Sequence, residues 1–187
     1  MSFKVLAVPE DPTYNGYLLK PLLGKMLQEA GKPNATVKVL DNPKVSGYEE
    51  AKRRLRDEIL DRYKHFNLIL FLPDADGKDR AAEFQGLEAV AESKGVRLIC
   101  CAAVQEVEVW LLAGHADQLG QDWKAVQEDV NVKENVFEPF LGRFGDPRRV
   151  GGGRIELMQE TLRNYRGLRD RCPELKTLED RIREASG

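Results

Sequence analysis

Two carboxylates one residue apart, Asp74 and Asp76, stand just after the apolar run Leu68-Ile69-Leu70-Phe71-Leu72 and Pro73. A short run of this kind reads as a buried strand of a parallel sheet. Open α/β sheets place their ligand crevice outside the carboxyl ends of such strands. If the backbone stays extended, residues i and i+2 point to the same side. Asp74 and Asp76 would then offer two hard oxygen donors of the type that Mg²⁺ or Mn²⁺ takes. The segment Asp74-Ala75-Asp76-Gly77 also reads as a plain polar turn.

Other acids fall at comparable places. Glu10 and Asp11 follow the first apolar run, and Glu106 and Glu108 follow the fourth. The carboxyl ends of parallel strands share one edge, so these groups can converge there. Clustered carboxylates repel one another unless a divalent cation neutralises them. A metal so held can polarise a phosphoryl oxygen and acidify a bound water, with a neighbouring Glu as general acid or base. On a helix Glu106 and Glu108 would point about 200° apart. Glu106 is the expected inward member because it comes sooner after the strand. Glu10 also reads as a turn residue before Pro12, and Asp79 as a helix N-cap.

The elements that must position these groups alternate. Strands are expected at Phe3–Val8, Thr36–Leu40, Leu68–Leu72 and Val96–Cys101. Between and after them, helices are expected at Tyr17–Glu29, Tyr48–Tyr63 (capped by Ser46 with Glu49), Asp79–Lys94 and Val104–Leu112. This order predicts an α/β fold, a mainly parallel Rossmann-like sheet with helices on both faces. Residues 1–114 form that unit. Residues 115–187 read as a helical C-terminal extension packed on the same domain, with helices at Arg154–Tyr165 and Glu174–Ala185.

With 187 residues the chain can bury one full core, and its net charge of −2 announces no nucleic-acid binder by itself. The absence of a signal-like or membrane-spanning run leads us to expect a cytoplasmic protein with no membrane partner. Cys100, Cys101 and Cys172 lack zinc-site spacing, and Cys100 and Cys101, at the end of an apolar run, read as small buried hydrophobes. His65 falls on the wrong edge for the site, and surface or capping roles are expected for both it and His115. Between Leu141 and Arg171, eight arginines face four acids. That stretch could neutralise phosphates or be a solvated helical face. Arg154 is the arginine best placed to reach a substrate phosphate. The preceding Gly151-Gly152-Gly153 lacks the Lys and Ser/Thr of a P-loop and reads as a hinge.

The ordered set of Glu10, then Asp74-Ala75-Asp76-Gly77, then Glu106-Val107-Glu108-Val109-Trp110-Leu111-Leu112-Ala113 resembles the Toprim domain of topoisomerases, primases and OLD-family nucleases. It is most similar to an uncharacterised bacterial branch associated with defence systems. That branch also carries a tail like Gly153-Arg154-Ile155 and Arg169-Asp170-Arg171-Cys172-Pro173-Glu174-Leu175. The chain departs from the Toprim pattern at Asp11, where the family has Gly. The resemblance implies a Toprim-like α/β fold and Mg²⁺- or Mn²⁺-dependent phosphodiester chemistry on nucleic acid, a nuclease of phage defence being one setting. In that frame Asp74 and Asp76 hold the metal, Glu10 is a ligand or the general acid/base, and Glu106 is a further ligand. Two other readings stay open. One is a non-catalytic subunit that binds nucleic acid, nucleotide or a partner ATPase, and the other a small-molecule phosphohydrolase. Homo-oligomerisation is compatible with all three.

Overall fold

The computed structural model describes residues 2–187. Four strands, β1 (Lys4–Val8), β2 (Thr36–Val39), β3 (Leu68–Phe71) and β4 (Leu98–Cys100), form one all-parallel sheet in the order β2-β1-β3-β4. The fold is α/β, as the alternating pattern predicts. From β1 the chain first moves outward to β2, then returns to the other side of β1 to lay down β3. The crevice between the ends of β1 and β3 is therefore the topological switch point, where open sheets bind ligands.

The central strands are apolar on both faces because both faces are covered. Val5 and Ala7, with Leu68 and Leu70, point into one core, while Leu6, Val8, Ile69 and Phe71 point into the other. The second core is closed by α2 (Tyr48–Arg54), a π-helical turn (Leu55–Ile59), α3 (Leu60–Arg62) and α4 (Ala81–Ser93). The first is closed by α1 (Pro12–Glu29) and α5 (Glu108–Leu112). The rest of the chain joins that same core through α6 (Trp123–Glu128), α7 (Glu138–Phe144), α8 (Arg154–Leu162), α9 (Tyr165–Arg171) and α10 (Pro173–Ser186). Residues 115–187 thus pack on α1 and share its interior. Each fully buried leucine on α1, such as Leu19 or Leu23, contributes roughly 1.5–3 kcal/mol.

Several boundaries depart from the sequence expectation. Helix α1 starts at Pro12 rather than Tyr17. Pro12 fits the first helical position, where its missing N–H costs nothing, and Asp11 caps the turn by accepting from the Thr13 N–H at 2.9 Å. Ser46 does not cap α2. Gly47, with φ 80°, occupies the cap position, and Glu50 instead of Glu49 reaches back to the Ser46 N–H at 3.1 Å. The expected helix at Val104–Leu112 is helical only from Glu108, because the preceding residues are tied to the turn after β3. The stretch Arg154–Tyr165 breaks at Arg163–Asn164, where the Asn164 side chain caps α9 through the Gly167 N–H at 3.0 Å. His115 is not at the surface. It is buried, with its ring nitrogens 3.0 Å from the Leu157 carbonyl and 3.1 Å from Gln118 Oε1. The three glycines form a packed left-handed turn instead of a hinge, with φ of 75°, 65° and 88°. All three cysteines are buried and free.

The β4 edge is closed by side chains. Glu88 from α4 accepts from the Cys100 N–H at 2.8 Å, and Arg181 from α10 donates to the Cys100 carbonyl at 3.2 Å. The two side chains pair with each other at 2.9 Å.

Candidate functional site

The turn after β3 and the loop after β4 are laced together by their backbones. The N–H groups of Ala75, Asp76 and Gly77 donate to the carbonyls of Ala103, Gln105 and Val104 at 3.0, 3.1 and 2.9 Å. Asp74 and Ala103 form a parallel bridge just past the strand ends. The two acidic segments are therefore one rigid unit facing the end of β1.

Across the switch point Asp74 meets Glu10, and the two carboxyls face each other closely enough to perturb one another. Asp74 Oδ1 also accepts from the Val107 N–H at 2.8 Å. Burial, then the contact with Glu10, then the charges of Glu10 and Glu108 hold the Asp74 carboxyl far above the usual carboxylate range. Burial raises Glu10 as well, against the lowering effect of its contact with Asp74. The pair titrates as a unit, and a proton between them relieves the repulsion of two carboxylates in contact.

Asp76 is placed differently from Asp74. Its backbone is left-handed, with φ 51°, so the extended-strand argument for two acids on one side does not apply. The side chain is 53 % exposed and lies 3.9 Å from Arg80. Arg80 is stacked at 3.7 Å on the Tyr48 ring and paired with Glu83 at 3.1 Å. Asp76 stands at the rim, close enough for its charge to raise both Glu10 and Glu106.

Glu106 and Glu108 both belong to the cluster. Glu106 precedes α5, so the helical separation expected between them does not arise. Glu106 is half-buried, and burial followed by the charge of Glu108 pushes its carboxyl up to about 7. Glu108 is 1 % exposed, raises Asp74 by its charge, and sits 3.5 Å from Lys133. Burial lowers the Lys133 ammonium, but the facing Glu108 and Glu106 leave it raised overall. Lys133 opens a π-helical turn, Lys133–Phe137, that leads straight into α7. Glu108, which the sequence places beside Glu106 but second to it, belongs to the cluster as well, and Lys133 and Arg80 join it without any sequence expectation. The Glu-Val-Glu spacing was a signal for Glu108, but nothing in the polar stretch around Lys133 marked it.

The cluster can accept a cation. Ten buried side-chain polar atoms lack a hydrogen-bond partner among the described residues, and five of them belong to Glu10, Arg80, Gln105, Glu106 and Glu108. Unpartnered buried polar atoms are costly and call for an explanation. Here three of them are carboxylate oxygens, the donors that hard divalent ions take. As they stand, no three His, Cys, Asp or Glu side chains among the described residues are arranged as a ligand set. Glu10 and Asp74 are closed on each other, and Asp76 leans toward Arg80.

No family model matches the chain, and no curated protein or solved structure gives a match. Among the described residues, no helix is long and apolar enough to cross a membrane.

Arg154 lies outside the cluster. Its guanidinium rests 4.7 Å from the Tyr14 ring centroid and 5.5 Å from that of Phe137, and donates to the Gly151 carbonyl at 3.0 Å. Most other arginines of the tail are committed to the fold: Arg148 pairs with Asp146, Arg149 with Glu156, and Arg169 with Glu179, while Arg171 donates to the Ala113 carbonyl.

Proposed function

We propose that this chain is a Toprim-like enzyme that uses a divalent cation, Mg²⁺ or Mn²⁺, to act on nucleic-acid phosphodiesters. One observation carries the reading. Glu10 and Asp74 meet at the switch point of a parallel sheet, beside buried, unpartnered carboxylate oxygens of Glu106 and Glu108. Such a group is costly as bare protein and favourable around a cation.

Asp74, Glu10, Asp76 and Glu106 would hold the ion, with Glu108 behind them kept in place by Lys133. A bound ion would supply Lewis acidity toward a phosphoryl oxygen and an acidified water. The side chains do the rest. Glu106, with its carboxyl near neutrality, is suited to take or return a proton. Arg80 and Lys133 offset the negative charge that a phosphate brings to an acidic crevice.

The test is a thermal-shift titration with Mg²⁺ and Mn²⁺ on wild type and on Asp74→Asn/Asp76→Asn, followed by cleavage assays on labelled DNA and RNA. At a hundred-fold excess over Kd, wild type should melt roughly 5–10 °C higher. The double variant should not respond, and only wild type should cleave. A metal response that survives in the double variant would place the ion elsewhere and overturn the assignment. A second reading, a non-catalytic subunit that binds nucleic acid, nucleotide or a partner ATPase, draws on the outward position of Asp76 beside Arg80. Saturable metal binding at these residues without cleavage of any nucleic acid would favour it.

A further inference from the structure

A cleft of about 690 Å³ opens between the first turns of α1 and the glycine turn that leads into α8. Its volume falls in the range of small-molecule sites, roughly 300–1,000 Å³. Its walls are aromatic and cationic: Tyr14, Tyr17 and Arg154, with Thr13 and Glu138 as polar edges. Tyr14 is 49 % exposed, so one face of its ring is open to a ligand. Tyr17 is fixed from behind. The Gly151 backbone lies so close to its ring that an added Cβ would come within 2.7 Å. The left-handed turn thus holds one aromatic wall in place.

Arg154 is shaped for an anion. It makes one hydrogen bond, to the Gly151 carbonyl, and its Nε is buried without a partner. Among the described residues no carboxylate pairs with it, whereas Arg148, Arg149 and Arg169 each have a carboxylate partner. A guanidinium so held, stacked on a ring and with donors to spare, fits a phosphate. Tyr14 stands four residues after Glu10, so its backbone lies within ~14 Å of that of Glu10.

We propose that this cleft seats one nucleotide of a single-stranded nucleic acid, with its base against Tyr14 and its phosphate on Arg154, and so delivers the neighbouring phosphodiester to the carboxylates. The proposal deepens the phosphodiester reading above and rests on it. Base stacking on an exposed ring requires an unpaired base, so the cleft selects single strands or frayed ends over a paired duplex.

The experiment measures binding of a fluorescent twelve-nucleotide single strand and of the matching blunt duplex by anisotropy, in Ca²⁺ and again in EDTA. It compares wild type with Tyr14→Ala and Arg154→Lys. Tyr14 is exposed, so its replacement leaves the fold intact, and a melting curve for each variant checks this. Wild type should bind the single strand at least ten-fold more tightly than the duplex. Tyr14→Ala should lose about ten-fold on the single strand and leave duplex binding unchanged. Arg154→Lys, which keeps the charge but not the planar fork, should lose several-fold. Equal affinity for both nucleic acids, no binding of either, or a Tyr14→Ala variant that binds like wild type overturns the proposal. The metal titration at Asp74 is read independently, so failure of the cleft and failure of the carboxylate site give different results.

Discussion

Asp74 was legible because it ends an apolar run. Its state was not, because that depends on Glu10 meeting it from a distant strand. The proton the two share gives a testable sign. In the unfolded chain these carboxyls ionise in the usual range, from 3.8 for Asp to 4.5 for Glu. In the metal-free fold they hold their protons to higher pH. The stability they contribute is therefore fully present at low pH and lost as pH rises. For Glu106 the loss runs from about 4.5 to about 7, and for the Asp74 pair it continues above that. Asparagine at position 74 keeps an oxygen for the Val107 N–H and removes the titration. In EDTA, wild type should lose melting temperature between pH 5 and pH 8, and Asp74→Asn should lose clearly less and be the more stable of the two at pH 8. Parallel melting curves would refute the shared-proton account. Asp76 shows the opposite limit of legibility. A left-handed Asp before Gly77 looks the same in sequence as an extended one, and only φ 51° turns it to the rim.

At the scale of elements, strands and helices were readable where periodicity and breakers agreed, as at β1, β3 and α4. They were misread where one residue type serves two purposes. Pro12 reads as a stop but serves as the first residue of α1. The arginines of the tail look like a phosphate-binding stripe, but Arg169 and Arg171 instead tie one helix to another. Arg181 is such a case. With Glu88 it occupies the outward backbone groups of Cys100, a strand-like cover for an edge that would otherwise invite pairing with another chain. Glu88→Ala should cost about 1–2 kcal/mol in urea denaturation, since a backbone donor and an arginine lose one partner at a part-exposed site. It should also make the protein associate with rising concentration by light scattering. An unchanged monomer signal would show that the edge needs no cover.

Over the whole molecule, the texture change after Gly114 suggested an appendage, and sequence gave no way to see that its helices complete the core of α1. Packing between distant segments has no local signature. One tight contact is where Gly114 meets Thr161, whose hydroxyl donates to the Leu111 carbonyl at 2.7 Å. An added Cβ at Gly114 would collide with Thr161. Gly114→Ala should destabilise by about 2–3 kcal/mol, and far-UV dichroism and the fluorescence of Trp110 and Trp123 should still report one coincident transition. Two separated transitions would mean that the halves fold apart. The lacing of Ala75, Asp76 and Gly77 to Ala103, Val104 and Gln105 uses only backbone groups. Geometry is thereby stored in the main chain and chemistry in the side chains. Evolution can rewrite residues 76, 106 and 108 toward another ligand or another reaction without dismantling the frame, whereas residue 74 must keep an oxygen for the Val107 N–H. Gly77, with its φ of 68° and Gln105 packed against it, is a fixed point around which such change must happen.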